Sequence, residues 1–155
     1  VGPGVENLLR VTRESLYKGI EAVVVGNRIG DISFAIQHYC EKVHGYGIVR
    51  ELVGHGVGRS LHEDPEVPNF GMKGKGTLLK EGIVIAIEPM VNMGGKAVKQ
   101  LNDGWTILTR DGKPSAHFEH SVAVRKDGAD ILSNHTFIDD SVKKNDEIID
   151  ISINC

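Results

Sequence analysis

Three separated segments of this 155-residue chain each carry one side chain suited to holding a metal ion. They are Gly54-His55-Gly56-Val57-Gly58-Arg59-Ser60-Leu61-His62-Glu63-Asp64-Pro65, Ile87-Glu88-Pro89-Met90-Val91-Asn92 and Ser115-Ala116-His117-Phe118-Glu119-His120-Ser121. One imidazole, from His55, and two carboxylates, from Glu88 and Glu119, make a donor set for a divalent cation that activates water for hydrolysis. His55 stands between two glycines, where the backbone can approach another group closely, and His62 follows beside Glu63. Glu88 comes directly after the apolar run Ile83-Val84-Ile85-Ala86-Ile87. A carboxylate in that place either meets solvent at the end of a strand or is held by a cation, because burying it unpaired is costly. Glu119 poses the same alternative. On a continuous strand it shares a face with His117 and Ser121, opposite Phe118, His120 and Val122. Trp105, the only tryptophan, is either a core residue or a wall of an apolar pocket.

The elements that must position these groups follow from periodicity. Val5, Leu8, Leu9, Leu16, Ile20 and Val23 predict a helix with one apolar stripe, and Pro3 suits its entry. Ile32, Ala35, Ile36, Tyr39, Cys40 and Val43 predict a second, with Asp31 as its cap and Gly45 at its end. The chain then turns β-prone. Short strands are predicted over 48–53, 83–87, 105–109, 118–124 and 129–132, with 54–68 as a loop punctuated by Gly and Pro. Helices first and antiparallel strands after define an α+β class in a single domain. The acidic stretch from Phe137 to Ile153 is expected to form a helix packed on the surface.

Bulk properties narrow the function classes. A net charge of −3 offers no electrostatic basis for binding DNA or an anionic membrane. No apolar run reaches the roughly 20 residues needed to span a bilayer. Cys40 and Cys155 do not make a disulfide framework, which favours a reducing, cytoplasmic setting. The segment Met72–Thr77 lacks the ending of a phosphate-binding P-loop, and Gly54–Gly58 lacks the spacing of a dinucleotide fingerprint. No nucleophile elbow or activated cysteine setting is present.

Taken together, the blocks Gly-His-Gly-Val-Gly-Arg, His-Glu-Asp-Pro, Ile-Glu-Pro-Met-Val-Asn, Asp-Gly-Trp-Thr and Ser-Ala-His-Phe-Glu-His-Ser resemble the type I, bacterial-like methionine aminopeptidases. The resemblance runs from about Val5 to Leu132. It implies a pita-bread fold around two divalent metal ions (Mn, Fe, Co or Zn) and removal of the N-terminal Met from nascent peptides, with ribosome association in the cell. It implies that His55 and Glu88 ligate one metal and that Glu119 bridges both. Glu88 is also expected to take a proton from the attacking water. His62 is expected to contact the scissile amide. Trp105 and Leu61 are expected to bind substrate at the pocket wall, Leu61 standing where many relatives place an aromatic residue. His117 and Phe118 stand where Gln and Tyr are frequent.

The resemblance also implies a preceding half that supplies two further aspartate ligands and another histidine. Asp31, Asp64 and Asp103 sit in cap, loop and turn contexts that do not match that motif. The expectation is therefore the C-terminal part of a pita-bread catalytic domain, impaired on its own and prone to self-association through an exposed sheet edge. Two other readings stay open: a non-catalytic pita-bread binding module, and a proline-directed (Xaa-Pro) metallopeptidase.

Overall fold

A computed structural model describes residues 1–145. Helix α1 (Pro3–Glu21) opens with Pro3 in its first turn and buries Leu8, Val11, Leu16 and Ile20. Against it packs α2 (Ile29–Gln37), through Ile29, Ile32 and Ile36. The helix starts ahead of the predicted cap, so Asp31 lies within its first turn and acts backward. Its Oδ2 accepts the Arg28 N–H at 2.8 Å and its Oδ1 the Gly74 N–H at 2.9 Å. A π-helical segment (His38–Val43) continues α2, and Gly45, with φ +70°, ends it as the sequence predicts.

The π-helical segment carries a half-buried ion pair. Glu41 Oε1 accepts from Arg50 Nη2 at 2.6 Å, while Oε2 accepts from Gln37 Nε2 at 2.8 Å. Burial pushes the Glu41 carboxyl up, but these donors outweigh it and hold the group below the usual range. A carboxyl depressed on folding stabilises above its unfolded range, and that contribution fades as pH falls below about 4.3. Glu41→Gln is therefore expected to lower the urea midpoint at neutral pH. The difference from wild type should shrink in acid, as paired denaturation curves at the two pH values will show.

Among the described residues ten short strands follow: β1 (Gly47–Ile48), β2 (Gly54–Gly56), β3 (Glu63–Val67), β4 (Val84–Ile87), β5 (Met90–Asn92), β6 (Val98–Gln100), β7 (Ile107–Thr109), β8 (Ser115–His117), β9 (His120–Arg125) and β10 (Gly128–Ile131). They pair antiparallel in three sheets, ordered β10-β9-β4-β2-β3, β1-β5-β8 and β6-β7. The helices cover the larger sheets through Ile85, Ile87, Val122, Val124 and Val91. Helix α3 (Thr136–Lys143) is the last described element; it ends at Lys143, short of the predicted extent, and residues 146–153 of the predicted tail helix lie outside the described residues. No helix among the described residues is long and apolar enough to cross a membrane.

Two expectations change here. The predicted loop 54–68 contains β2 and β3, because Gly54 and Gly56 lie so close to neighbouring backbone that the strands pair there despite low β-propensity. The predicted strand 118–124 is not continuous with Ser115–His117. The chain leaves the three-stranded sheet after His117 and enters the five-stranded sheet at His120.

Candidate metal centre

Both glutamates sit where the chain passes between the two larger sheets. Glu88 and Pro89 link β4 to β5, and Phe118 and Glu119 link β8 to β9. The pairs Ile87↔His120 and Met90↔His117 flank these crossovers and hold them side by side. Phe118 N–H donates to the Pro89 carbonyl at 3.4 Å between them. The crossover frees Glu119 from strand alternation. It points its carboxylate at Glu88 while the next residue, His120, is buried in the core.

The third donor arrives on β2, which pairs with β4 at Gly56↔Ile85. There His55 Nε2 lies 3.5 Å from Glu88 Oε1. Ligand atoms of His55, Glu88 and Glu119 all fall within 4.8 Å of one another, the only such group among the described residues. His55 and Glu88 are largely buried, and Glu119 is exposed.

The donor chemistry of this group fits a cation. His55 Nδ1 lies 2.9 Å from the Gly56 carbonyl oxygen, which can only accept. Nδ1 therefore carries the proton, and in the neutral ring Nε2 presents a lone pair. That lone pair faces a carboxylate oxygen, with a second carboxylate alongside. With the ring neutral and both carboxylates ionised, the three offer acceptor atoms within 4.8 Å of one another, and a divalent ion placed among them satisfies all three.

Further contacts hold Glu88 and anchor His120, the residue after Glu119. Buried Asn69 donates from Nδ2 to the Glu88 backbone carbonyl at 3.0 Å. His117 Nε2 stands 3.3 Å from Glu88 Oε2, and this hydrogen bond raises the His117 pKa above its ordinary value. Below Glu119, His120 touches Tyr17 Oη through Nε2 at 3.3 Å and Ser133 Oγ through Nδ1 at 3.2 Å. Burial, then the neighbouring His135 ring, lowers the His120 pKa. Sequence reading assigned no role to Asn69 or His117. For His117, the available signal was an imidazole two residues before a candidate ligand.

The other predicted residues are placed as follows. The His62 ring packs edge-on against that of His55, with centroids 4.3 Å apart. Leu61 is 72% exposed, in the loop joining β2 to β3. Trp105 is 88% exposed, in the turn between β6 and β7. The apolar space adjoining the group is instead a cleft of about 250 Å³ lined by Val49, Leu52, Met90, Ile107, Leu108 and His117, among others.

Residues 1–126 match the model of metallopeptidase family M24, and the chain belongs to that family, with its pita-bread α+β fold. Membership implies divalent metal ions. The relatives it matches include methionine aminopeptidases. That of Clostridium perfringens (strain 13 / Type A) is 57% identical over 128 residues, covering 83% of this chain and 51% of the relative. Methionine aminopeptidase 1 of Bacillus subtilis (strain 168) is 54% identical over 128 residues, with the same coverage of 83% and 51%. The crystal structure of the Rickettsia prowazekii methionine aminopeptidase superposes with a TM-score of 0.82 at 45% identity, covering 84% of this chain and 53% of that one. The chain thus spans about half the length of the relatives it matches.

Proposed function

We propose that this chain carries His55, Glu88 and Glu119 as ligands of a divalent metal centre that serves removal of the N-terminal methionine from nascent peptides in the cytoplasm. The observation that carries this reading is the convergence of three acceptor atoms within 4.8 Å. Divalent ions held there supply Lewis-acid polarisation of a carbonyl and acidification of water. Two such ions are expected, with Glu119 shared between them.

The chain's own groups divide the remaining work. Glu88 accepts a proton from the attacking water, which the half-enclosed position of its carboxylate favours. His62, packed against His55 and open to solvent, hydrogen-bonds the scissile amide and steadies charge developing on its oxygen. The apolar cleft beside His117 suits an unbranched apolar side chain at the substrate's N-terminus, while Leu61 and Trp105, both largely exposed, would meet substrate outside it.

Among the described residues no other His, Cys, Asp or Glu joins the group. Three protein donors are few for two ions, so weak occupancy and slow turnover are expected of this chain alone. The test offers Met-Ala and Xaa-Pro peptides to the chain with Co²⁺ or Mn²⁺. Slow but preferential methionine release supports the reading, and preferential Xaa-Pro cleavage contradicts it. Rapid turnover overturns the expected impairment.

A further inference from the structure

The two imidazoles beside Glu88 are not equivalent. The proton on His55 is taken up by the Gly56 carbonyl, so Nε2 offers a lone pair toward Oε1. His117 meets the other oxygen, Oε2, at 3.3 Å, and a carboxylate oxygen accepts. A hydrogen bond there requires His117 to present Nε2–H. One face of the Glu88 carboxylate is hydrogen-bonded and the other is left for a cation.

His117 is well placed to do this without serving the core. It lies on β8 in register with Met90, one residue past the Pro89 crossover, and its side chain is 48% exposed. Asn69 fixes the Glu88 backbone carbonyl but leaves the carboxylate free to rotate about its side-chain torsions. Without a donor at Oε2, either oxygen, or neither, can face His55.

We propose that His117 is a positioning residue for the metal centre: its Nε2–H holds Glu88 Oε2 and so presents Oε1 to the cation beside His55. This rests on the metal-ligand reading above. The hydrogen bond needs only the neutral ring, because the donor is the same N–H whether or not the second nitrogen is protonated. Partners that orient a ligand in this way typically change metal affinity 10- to 100-fold.

Two measurements test it. The first is made on the metal-free chain, by long-range ¹H–¹⁵N NMR of the histidine rings at about pH 9, where unperturbed imidazoles are neutral. His117 is expected as the Nε2–H tautomer and His55 as the Nδ1–H tautomer; an Nδ1–H tautomer at His117 overturns the proposal. The second is a Co²⁺ titration followed by visible absorption. His117→Leu is expected to weaken binding about 10-fold or more, and His117→Gln, which still donates an N–H, to restore most of it. Wild-type affinity in His117→Leu, or equal loss in both variants, overturns the proposal. Thermal melts in chelator should be unchanged in both, since the side chain is half exposed. If wild type and Glu119→Ala take up Co²⁺ alike, the metal reading itself fails and the proposal falls with it. Normal uptake that is lost in Glu119→Ala but kept in His117→Leu rejects the positioning role alone.

Discussion

Glu119→Ala is expected to weaken Co²⁺ or Mn²⁺ binding by about 100-fold or more, because loss of a direct ligand exceeds the 10- to 100-fold typical of groups that only orient one. The carboxylate is one of three donors within 4.8 Å, so its removal leaves one imidazole and one carboxylate. The same effect should appear in stability. Ligand at 100 times its dissociation constant adds about 2.7 kcal/mol to a folded state that binds it, and the variant should lose that metal-dependent rise in melting temperature. Glu63 is the control. Its Oε1 accepts from Ser60 N–H at 2.6 Å and it is not part of the group, so Glu63→Ala should bind metal as wild type does. Calorimetric titration of the three proteins decides the matter. Equal heats in wild type and Glu119→Ala favour a binding module that has given up metal chemistry.

Gly56→Ala is expected to cost about 3 kcal/mol or more, at or beyond the upper end of overpacking penalties. A Cβ at Gly56 meets the Asp64 carbonyl oxygen at 2.2 Å and its carbon at 2.7 Å. Both are backbone atoms of β3, so no side chain can swing aside. The strands must separate, and that moves His62 away from His55 at the mouth of the same hairpin. Gly2→Ala, where a Cβ meets nothing within 4 Å, should change stability by no more than about 0.5 kcal/mol. Urea midpoints compare the two, and an unchanged midpoint in Gly56→Ala contradicts the packing described for β2 and β3.

His55 and Glu88 stand out in the sequence because they follow a glycine and an apolar run, and Glu119 only as a carboxylate in a β-prone stretch. The resemblance made them one ligand set, and their ligand atoms lie within 4.8 Å of one another. The helices were legible because their stripes are long enough for periodicity to speak: α1 and α2 bury the apolar positions that repeat every third or fourth residue. The short strands were not. Runs such as Met90–Asn92 and Val98–Gln100 are only three residues long, below the length at which alternation is readable. The strand predicted through Glu119 hid a crossover, because Phe118 and Glu119 belong to neither sheet, and local pattern cannot show a change of pairing partner. Asn69 was invisible for a related reason: its partner, the Glu88 carbonyl, lies 19 residues away. Trp105 and Leu61 were read as pocket walls from residue type and resemblance, yet both side chains stand largely in solvent.

The most direct test of the metal centre is diffraction from crystals of the chain grown with Zn²⁺ and measured across the zinc edge. An anomalous peak is expected about 2.0–2.2 Å from His55 Nε2 and from carboxylate oxygens of Glu88 and Glu119. A well-ordered structure in which zinc binds elsewhere, or in which those three side chains turn apart into solvent, contradicts it.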